Sequence, residues 1–181
     1  MDDDLTTDGV CRNAFEILLS NGQSRHPVDE AQLIAAARAV LEVSDFSSAM
    51  ISLAVVDDAT MQDLNKQFLN HDWPTDVLSF ALQDDGIHLE GEVIISADTA
   101  AAAAQEVGCT AAAEQLLYVI HGMLHLVGYR DKTADDAKQM RLAEASFLSQ
   151  FGWETTFRSG CGEDPAGAID AGETPDGATT L

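Results

Sequence analysis

The chain has 181 residues, 46% of them hydrophobic, and a formal net charge of −22 from 31 acidic and nine basic side chains. That length suits one domain with a proper core and leaves no room for a second catalytic domain. The charge speaks against sequence-independent nucleic-acid binding over the whole surface, which a basic stripe would announce, and leaves only a local basic patch open.

In chain order, Ala14 to Leu19 reads as a short strand, although Phe15-Glu16-Ile17-Leu18 also tolerates a helical turn. Asn21 to Pro27 is loop by composition. Asp29 or a near neighbour opens an alanine-rich helix to about Val43, with Leu33, Ile34, Ala37, Val40 and Leu41 as its apolar stripe. Met50 to Val56 alternates and is β-branched, hence a strand that Asp57-Asp58 stops. Thr60 to Phe68 follows as a short helix with Met61, Leu64, Asn65 and Phe68 on one side. Asn70 to Asp76 is a loop around Trp73-Pro74. Val77 to Leu82 and Ile87 to Ser96 are strands joined by a turn at Asp84-Asp85-Gly86, a spacing that predicts an antiparallel hairpin.

Ser96 or Asp98 caps a helix through the alanine run at 100 to 104, which ends at Gly108, and Thr110 caps the next. On that helix Leu116, Leu117, Ile120, Met123, Leu124 and Val127 leave almost no polar face, so it is expected at the buried centre. A last helix, Ala134 to Phe151, turns Met140, Ala143, Phe147 and Leu148 inward. Ser159 to Leu181 has hardly a core-forming residue and is expected to be a disordered acidic tail after a single domain spanning 1–158.

Cys11, Cys109 and Cys161 are odd in number and lack CxxC spacing, so they read as reduced thiols of a cytoplasmic protein. The acidic opening Met1-Asp2-Asp3-Asp4 is unlike a secretory leader. The longest apolar stretch, Leu116 to Tyr129, is too short to span a bilayer, and no membrane role follows.

That stretch holds the chemistry. His121 and His125 sit four apart, on one helical face about 6 Å from each other, close enough for both rings to grip one ion. Gly128 lets the helix stop, and Asp131 can then fold back towards the same point. Two His and one Asp make three protein ligands, the number a catalytic zinc takes beside an open fourth position. The bland alternative is a pair of core histidines satisfied by backbone carbonyls. Burying two imidazoles unsatisfied costs roughly 1 to 3 kcal/mol each, which a metal offsets. The HExxH helix of zinc proteases carries its general base directly after the first His. Gly122 stands there, so peptide hydrolysis falls behind. Arg130, Lys132, Lys138 and Arg141 concentrate positive charge near the motif, either for a phosphate or merely to solubilise a helix.

The segment His121, Gly122, Leu124, His125, Leu126, Gly128 and Tyr129 resembles the signature of the YbeY family of bacterial endoribonucleases, also described as rRNA maturation factors. Asp72-Trp73-Pro74-Thr75-Asp76-Val77-Leu78-Ser79-Phe80 and Gly91-Glu92-Val93-Ile94-Ile95-Ser96 resemble two further family stretches. The likeness implies an α+β fold, a small mixed sheet of about four strands packed with about five helices, which agrees with the element order above. It implies a metal-dependent, single-strand-specific endoribonuclease acting on the 3′ end of 16S rRNA and in ribosome quality control. One Zn2+ per chain, or another divalent transition metal, is implied at His121, His125 and Asp131, with rRNA or a ribosomal subunit and its proteins as partners and no DNA. Two positions depart from the family pattern. Arg130-Asp131 stands for the usual Asp-His, which puts a carboxylate in place of the third imidazole. Leu69 stands where an RNA-contacting Arg is usual, a contact that Arg130 could replace from the other side. Thr75, Ser79 and Glu92 are candidates to line the cleft, with a folding role for each an equal alternative, and no general base is assigned. If Asp131 is not a ligand, Asp135, Asp136 or His71 is the next choice. A non-catalytic ribosome-biogenesis factor with a structural metal, and a small-molecule metallohydrolase, are the competing readings.

Overall fold

The computed structural model describes residues 14–153. The Met1-Asp4 opening, Cys11, Cys161 and the predicted acidic tail from Ser159 lie outside them. Along the described chain run β1 (Ala14–Asn21), α1 (Glu30–Glu42), β2 (Ser48–Val56), α2 (Asp58–Leu69), β3 (Val77–Asp84), β4 (His88–Ser96), α3 (Ala97–Val107), α4 (Ala111–Leu126) and α5 (Ala134–Gln150). The strands form one mixed sheet in the order β1-β2-β4-β3. The β1, β2 and β4 strands are parallel, and β3 closes the edge antiparallel to β4. The expected α+β architecture, with its hairpin, is the one observed.

Residue chemistry accounts for the boundaries. Each helix begins on a side chain that accepts from a first-turn backbone N–H: Asp29, Asp57, Ser96, Thr110 and Thr133. β1, β2 and β3 each run two residues past an expected end where a neighbour continues the ladder, while β4 starts one residue later than expected, at His88. Ser20 and Asn21 of β1 pair with Ala54 and Val55, and Ser48 pairs with His88. In the hairpin the register shifts between Ala81 and Gln83, so that Leu82 is the extra residue of a bulge.

Strand alternation sorts two faces. Ala49, Ile51, Leu53 and Val55 of β2, with Leu89, Val93 and Ile95 of β4, point into the main core shared with α1, α3, α4 and α5. The opposite face carries a smaller cluster of Met61, Leu78 and Ile94, under α2. Leu69 packs onto that second cluster, so the position where an arginine was looked for is an apolar contact. Phe68, expected to face inward with Met61 and Asn65, is instead exposed and meets Phe80 at a centroid distance of 5.4 Å.

The central element is α4, buried along nearly its whole length as its apolar sequence predicts. It lies hard against the hairpin because two glycines remove the intervening side chains. A Cβ at Gly122 would fall 2.6 Å from Val93 Cγ1 and 3.0 Å from Val77 Cγ2. A Cβ at Gly91 would fall 2.7 Å from Leu126 Cδ1.

Helix propensity alone favours Ala over Gly at 122 by about 1 kcal/mol. Overpacking against Val93 outweighs it, and Gly122→Ala is expected to lower stability by about 1–3 kcal/mol. Chemical denaturation checks this: the loss should shrink when Val93 is also cut to Ala, and a stabilised single variant would contradict the close approach.

Candidate metal centre

Helical spacing brings the His121 and His125 rings together edge to face, with centroids 4.6 Å apart. Their Nε2 atoms are 3.0 Å from each other. The C-terminus of α4 then reverses. Gly128 takes φ +100, its N–H reaches the His125 carbonyl at 3.1 Å, and the Tyr129 N–H reaches the Leu124 carbonyl at 2.9 Å. These two bonds form a Schellman turn, which only a residue at home with positive φ completes without strain. The reversal carries Asp131 back to the histidines, its Oδ2 lying 3.9 Å from His121 Nε2 and 3.7 Å from His125 Nε2.

Both remaining ring nitrogens are engaged. His121 Nδ1 donates to Glu144 Oε1 at 2.6 Å, and His125 Nδ1 donates to the Tyr129 carbonyl at 3.2 Å. With each Nδ1 carrying a hydrogen, both Nε2 atoms turn their remaining site to the same point. Two lone pairs cannot face each other across 3.0 Å, so a cation, proton or metal belongs between them. Three N or O ligands about 2.0–2.1 Å from a tetrahedral ion sit about 3.3 Å apart. The observed separations of 3.0, 3.7 and 3.9 Å bracket that spacing. Orienting the far nitrogen of a ligating imidazole by a carboxylate or carbonyl is what metal sites require, so the donor set fits a divalent ion.

Charge around the pair is lopsided. Burial pulls the His121 pKa down, but its bond to Glu144 and the carboxylates of Glu144, Asp76 and Asp131 more than offset this and leave it raised. Burial and the positive charge on His121 push the His125 pKa down. A proton between the two rings is therefore favoured on the His121 side.

Residues 18–152 match the family described as Endoribonuclease YbeY. A relative from Syntrophotalea carbinolica of that name is 38% identical over 141 residues, 74% of this chain and 94% of its own length. Another from Frankia alni is 31% identical over 170 residues, 87% of this chain and 93% of its own. The chain belongs to the YbeY endoribonuclease family. The fold agrees with the solution structure of TM1509 from Thermotoga maritima, at 25% identity and a TM-score of 0.53 over 75% of this chain and 91% of that one.

In this YbeY-family chain the three residues singled out from sequence do converge: His121, His125 and Asp131 place one ligand atom each within 4.8 Å of one another. The substitutes do not join them. His71 stacks on Trp73 at a centroid distance of 4.7 Å, Asp136 accepts from Thr133 at the start of α5, and Asp135 is exposed on the same turn. Arg130 does not reach across the site as a free cation. Its Nη1 donates to the Tyr129 carbonyl at 3.1 Å and lies 3.5 Å from that of His125, over the end of α4. Glu92 shares the strand face of Ile94, Leu78 and Phe80, away from α4, which favours the folding role over the cleft for it. Ser79 keeps the parity of Val77 and Val93 on the α4 side, and Thr75 Oγ1 is spent on Asp76 Oδ1 at 3.0 Å.

Glu144 and Asp76 escaped the sequence reading. For Glu144 a signal existed: it lies at i+4 from Met140 and i−3 from Phe147, on the buried stripe of α5, where an unpaired carboxylate would be costly.

The two shifts set a pH signature for chelator-treated protein. His121, raised, is expected to keep its imidazolium above the ordinary histidine range and contribute stability that is lost as pH rises through its folded value; His125, lowered, is expected to lose its proton below that range. Long-range 1H–15N NMR of the imidazoles reads both, and Glu144→Gln should bring the His121 midpoint down. Coincident midpoints near the unperturbed value would reject the Glu144 pairing.

Proposed function

We propose that this chain is a metal-dependent, single-strand-specific endoribonuclease of the cytoplasm, acting in rRNA maturation at the 3′ end of 16S rRNA and in ribosome quality control. The observation that carries the reading is the convergence of His121 Nε2, His125 Nε2 and Asp131 Oδ2 inside the family's signature segment. Relatives named Endoribonuclease YbeY match it across most of its length. One Zn2+ per chain, or Mn, Fe or Co, is the proposed occupant. When bound there, such an ion supplies Lewis-acid polarisation of a phosphoryl oxygen and makes water ionise nearer neutral pH.

The protein's share is positioning and charge. Glu144 fixes the His121 tautomer and raises the basicity of its Nε2. The Tyr129 carbonyl, itself held by Arg130, does the same for His125. Asp131 adds a negative charge where the family's third imidazole adds none, which suits harder divalent ions somewhat better than a three-histidine set. Beside Asp131 an open cleft of about 310 Å³ is lined by Val127, Gly128, Tyr129, Arg130, Asp136 and Gln139. The partner proposed is rRNA within a ribosomal subunit. No helix among the described residues is long and apolar enough to cross a membrane.

Elemental analysis of untagged protein is expected to find about one divalent transition metal per chain. His121→Ala and Asp131→Ala should each abolish it, and Glu144→Ala should weaken metal affinity by about 10- to 100-fold. Cleavage of single-stranded RNA should stop with chelator and return with Zn2+. Chelator-insensitive or absent cleavage by metal-loaded protein would instead support a binding factor, and full metal retention in Asp131→Ala would remove that ligand.

A further inference from the structure

The loop between α2 and β3 holds a large aromatic side chain out in solvent. Trp73 is 52% exposed, although its backbone is firmly tethered. Asn65, buried in α2, donates its side-chain amide to the Trp73 carbonyl at 2.7 Å. One turn earlier, Gln62 Nε2 donates to both the carbonyl and a carboxylate oxygen of Asp72 at 3.0 Å, and Lys66 Nζ pairs with the other oxygen at 2.8 Å. Three side chains of one helix therefore pin two consecutive loop residues. The indole itself is backed by the His71 ring, nearly parallel at 12° and 4.7 Å between centroids. Half exposure is what a ring covered on one face retains.

The loop leads straight to the metal centre. Asp76 follows Trp73 by three residues, a span of at most about 11 Å. Its carbonyl is fixed by the Ser96 N–H at 2.9 Å, and its charge acts on His121.

We propose that the Trp73–His71 stack is a platform for one unpaired RNA base, holding the neighbouring phosphodiester at His121, His125 and Asp131. This rests on the ribonuclease reading above and adds the group that grips the strand. A base is favoured over a phosphate as the thing gripped because Lys66, the cation nearest in the loop's tethers, is neutralised by Asp72. The chain as a whole carries −22 and repels a polyanion. Stacking on an indole needs no charge, tolerates any base and demands a flat, pre-positioned ring. It also excludes duplex, whose bases are already stacked.

Full-length protein, treated with chelator so that RNA stays intact, is titrated with an oligoadenylate of about eight nucleotides. Tryptophan fluorescence is expected to quench, and Trp73→Phe, which leaves Trp153 as the remaining indole, should lose most of the signal while keeping most of the affinity. Trp73→Ala should raise Kd by about 5- to 150-fold, the range for one lost base–aromatic stack. His71→Ala should have a smaller effect, base-paired RNA should quench nothing, and affinity should not fall as salt is raised, as it would for phosphate contacts. Trp73 is on the surface, so these variants are expected to fold, and circular dichroism verifies it. If metal-loaded parent cleaves RNA but Trp73→Ala binds it as the parent does, the platform is overturned and the nuclease reading stands. If the parent neither binds nor cleaves single-stranded RNA, both fall.

Discussion

Backbone contact between α4 and the β3–β4 hairpin sets the position of everything in the metal centre. Gly122 and Gly91 let the helix settle until Val93, Val77 and Leu126 occupy the space that two Cβ atoms would take. Successive residues of a helix are turned by about 100°, so a helix whose residue 122 faces the sheet must aim residue 121 elsewhere. The direction left to it is towards α5, where Glu144 receives it at 2.6 Å. His125, one turn on, follows the same side of the helix and ends level with the Schellman turn that returns Asp131. Gly122 thus has a steric reason of its own. A glutamate there, as in HExxH proteases, would collide with the sheet before it could act as a base.

Electrostatics then select what occupies the convergence point. Glu144, Asp131 and Asp76 surround two imidazoles in a partly buried pocket, where opposite charges attract far more strongly than in water. The field favours a proton on His121 despite the burial that opposes it. A divalent cation, if bound there as proposed, would satisfy the same field with twice the charge, with His121 and His125 as the residues to hold it. On that proposal a proton on His121 and the ion would compete for one place, and acid would weaken metal binding through that residue. The mirror position is neutral: His125 meets a carbonyl rather than a carboxylate, and Arg130, which grips the same carbonyl, adds to the charges that disfavour protonating it.

Much of this was legible along the chain because its causes are local. Alternation revealed β2, cap chemistry revealed Asp29, Ser96 and Thr110, and a turn of helix spacing revealed His121 and His125. Strand order was not legible, since nothing local tells β1 to pair with β2 in parallel or β4 to lie between β2 and β3. Glu92 was left open between cleft and fold although its parity was available: if Val93 faces α4, its neighbour faces away. Glu144 was missed because its partner lies 23 residues back on another helix, a tertiary contact that burial on the α5 stripe signalled without naming.

The net charge of −22 constrains how such a site can meet RNA. Nucleic-acid binders ordinarily gain affinity by releasing counterions from phosphates that Lys and Arg neutralise, and so bind best at low salt. Here Arg25 is spent on Asp98, Lys66 on Asp72 and Arg130 on the carbonyls closing α4, so few phosphates gain a partner from these side chains. Lowering salt lengthens the reach of the acidic surface instead, from about 8 Å at physiological strength to about 30 Å at 0.01 M. On the proposals made above, attraction comes from elements that do not rely on surface cations: a metal ion at His121, His125 and Asp131, and an aromatic face that binds bases whatever their charge. Both act over a few ångströms, less than a Debye length, so their contact energy has to outweigh the repulsion that the acidic surface still exerts there. An acidic nuclease built this way discriminates by contact at the site, with little help from long-range steering.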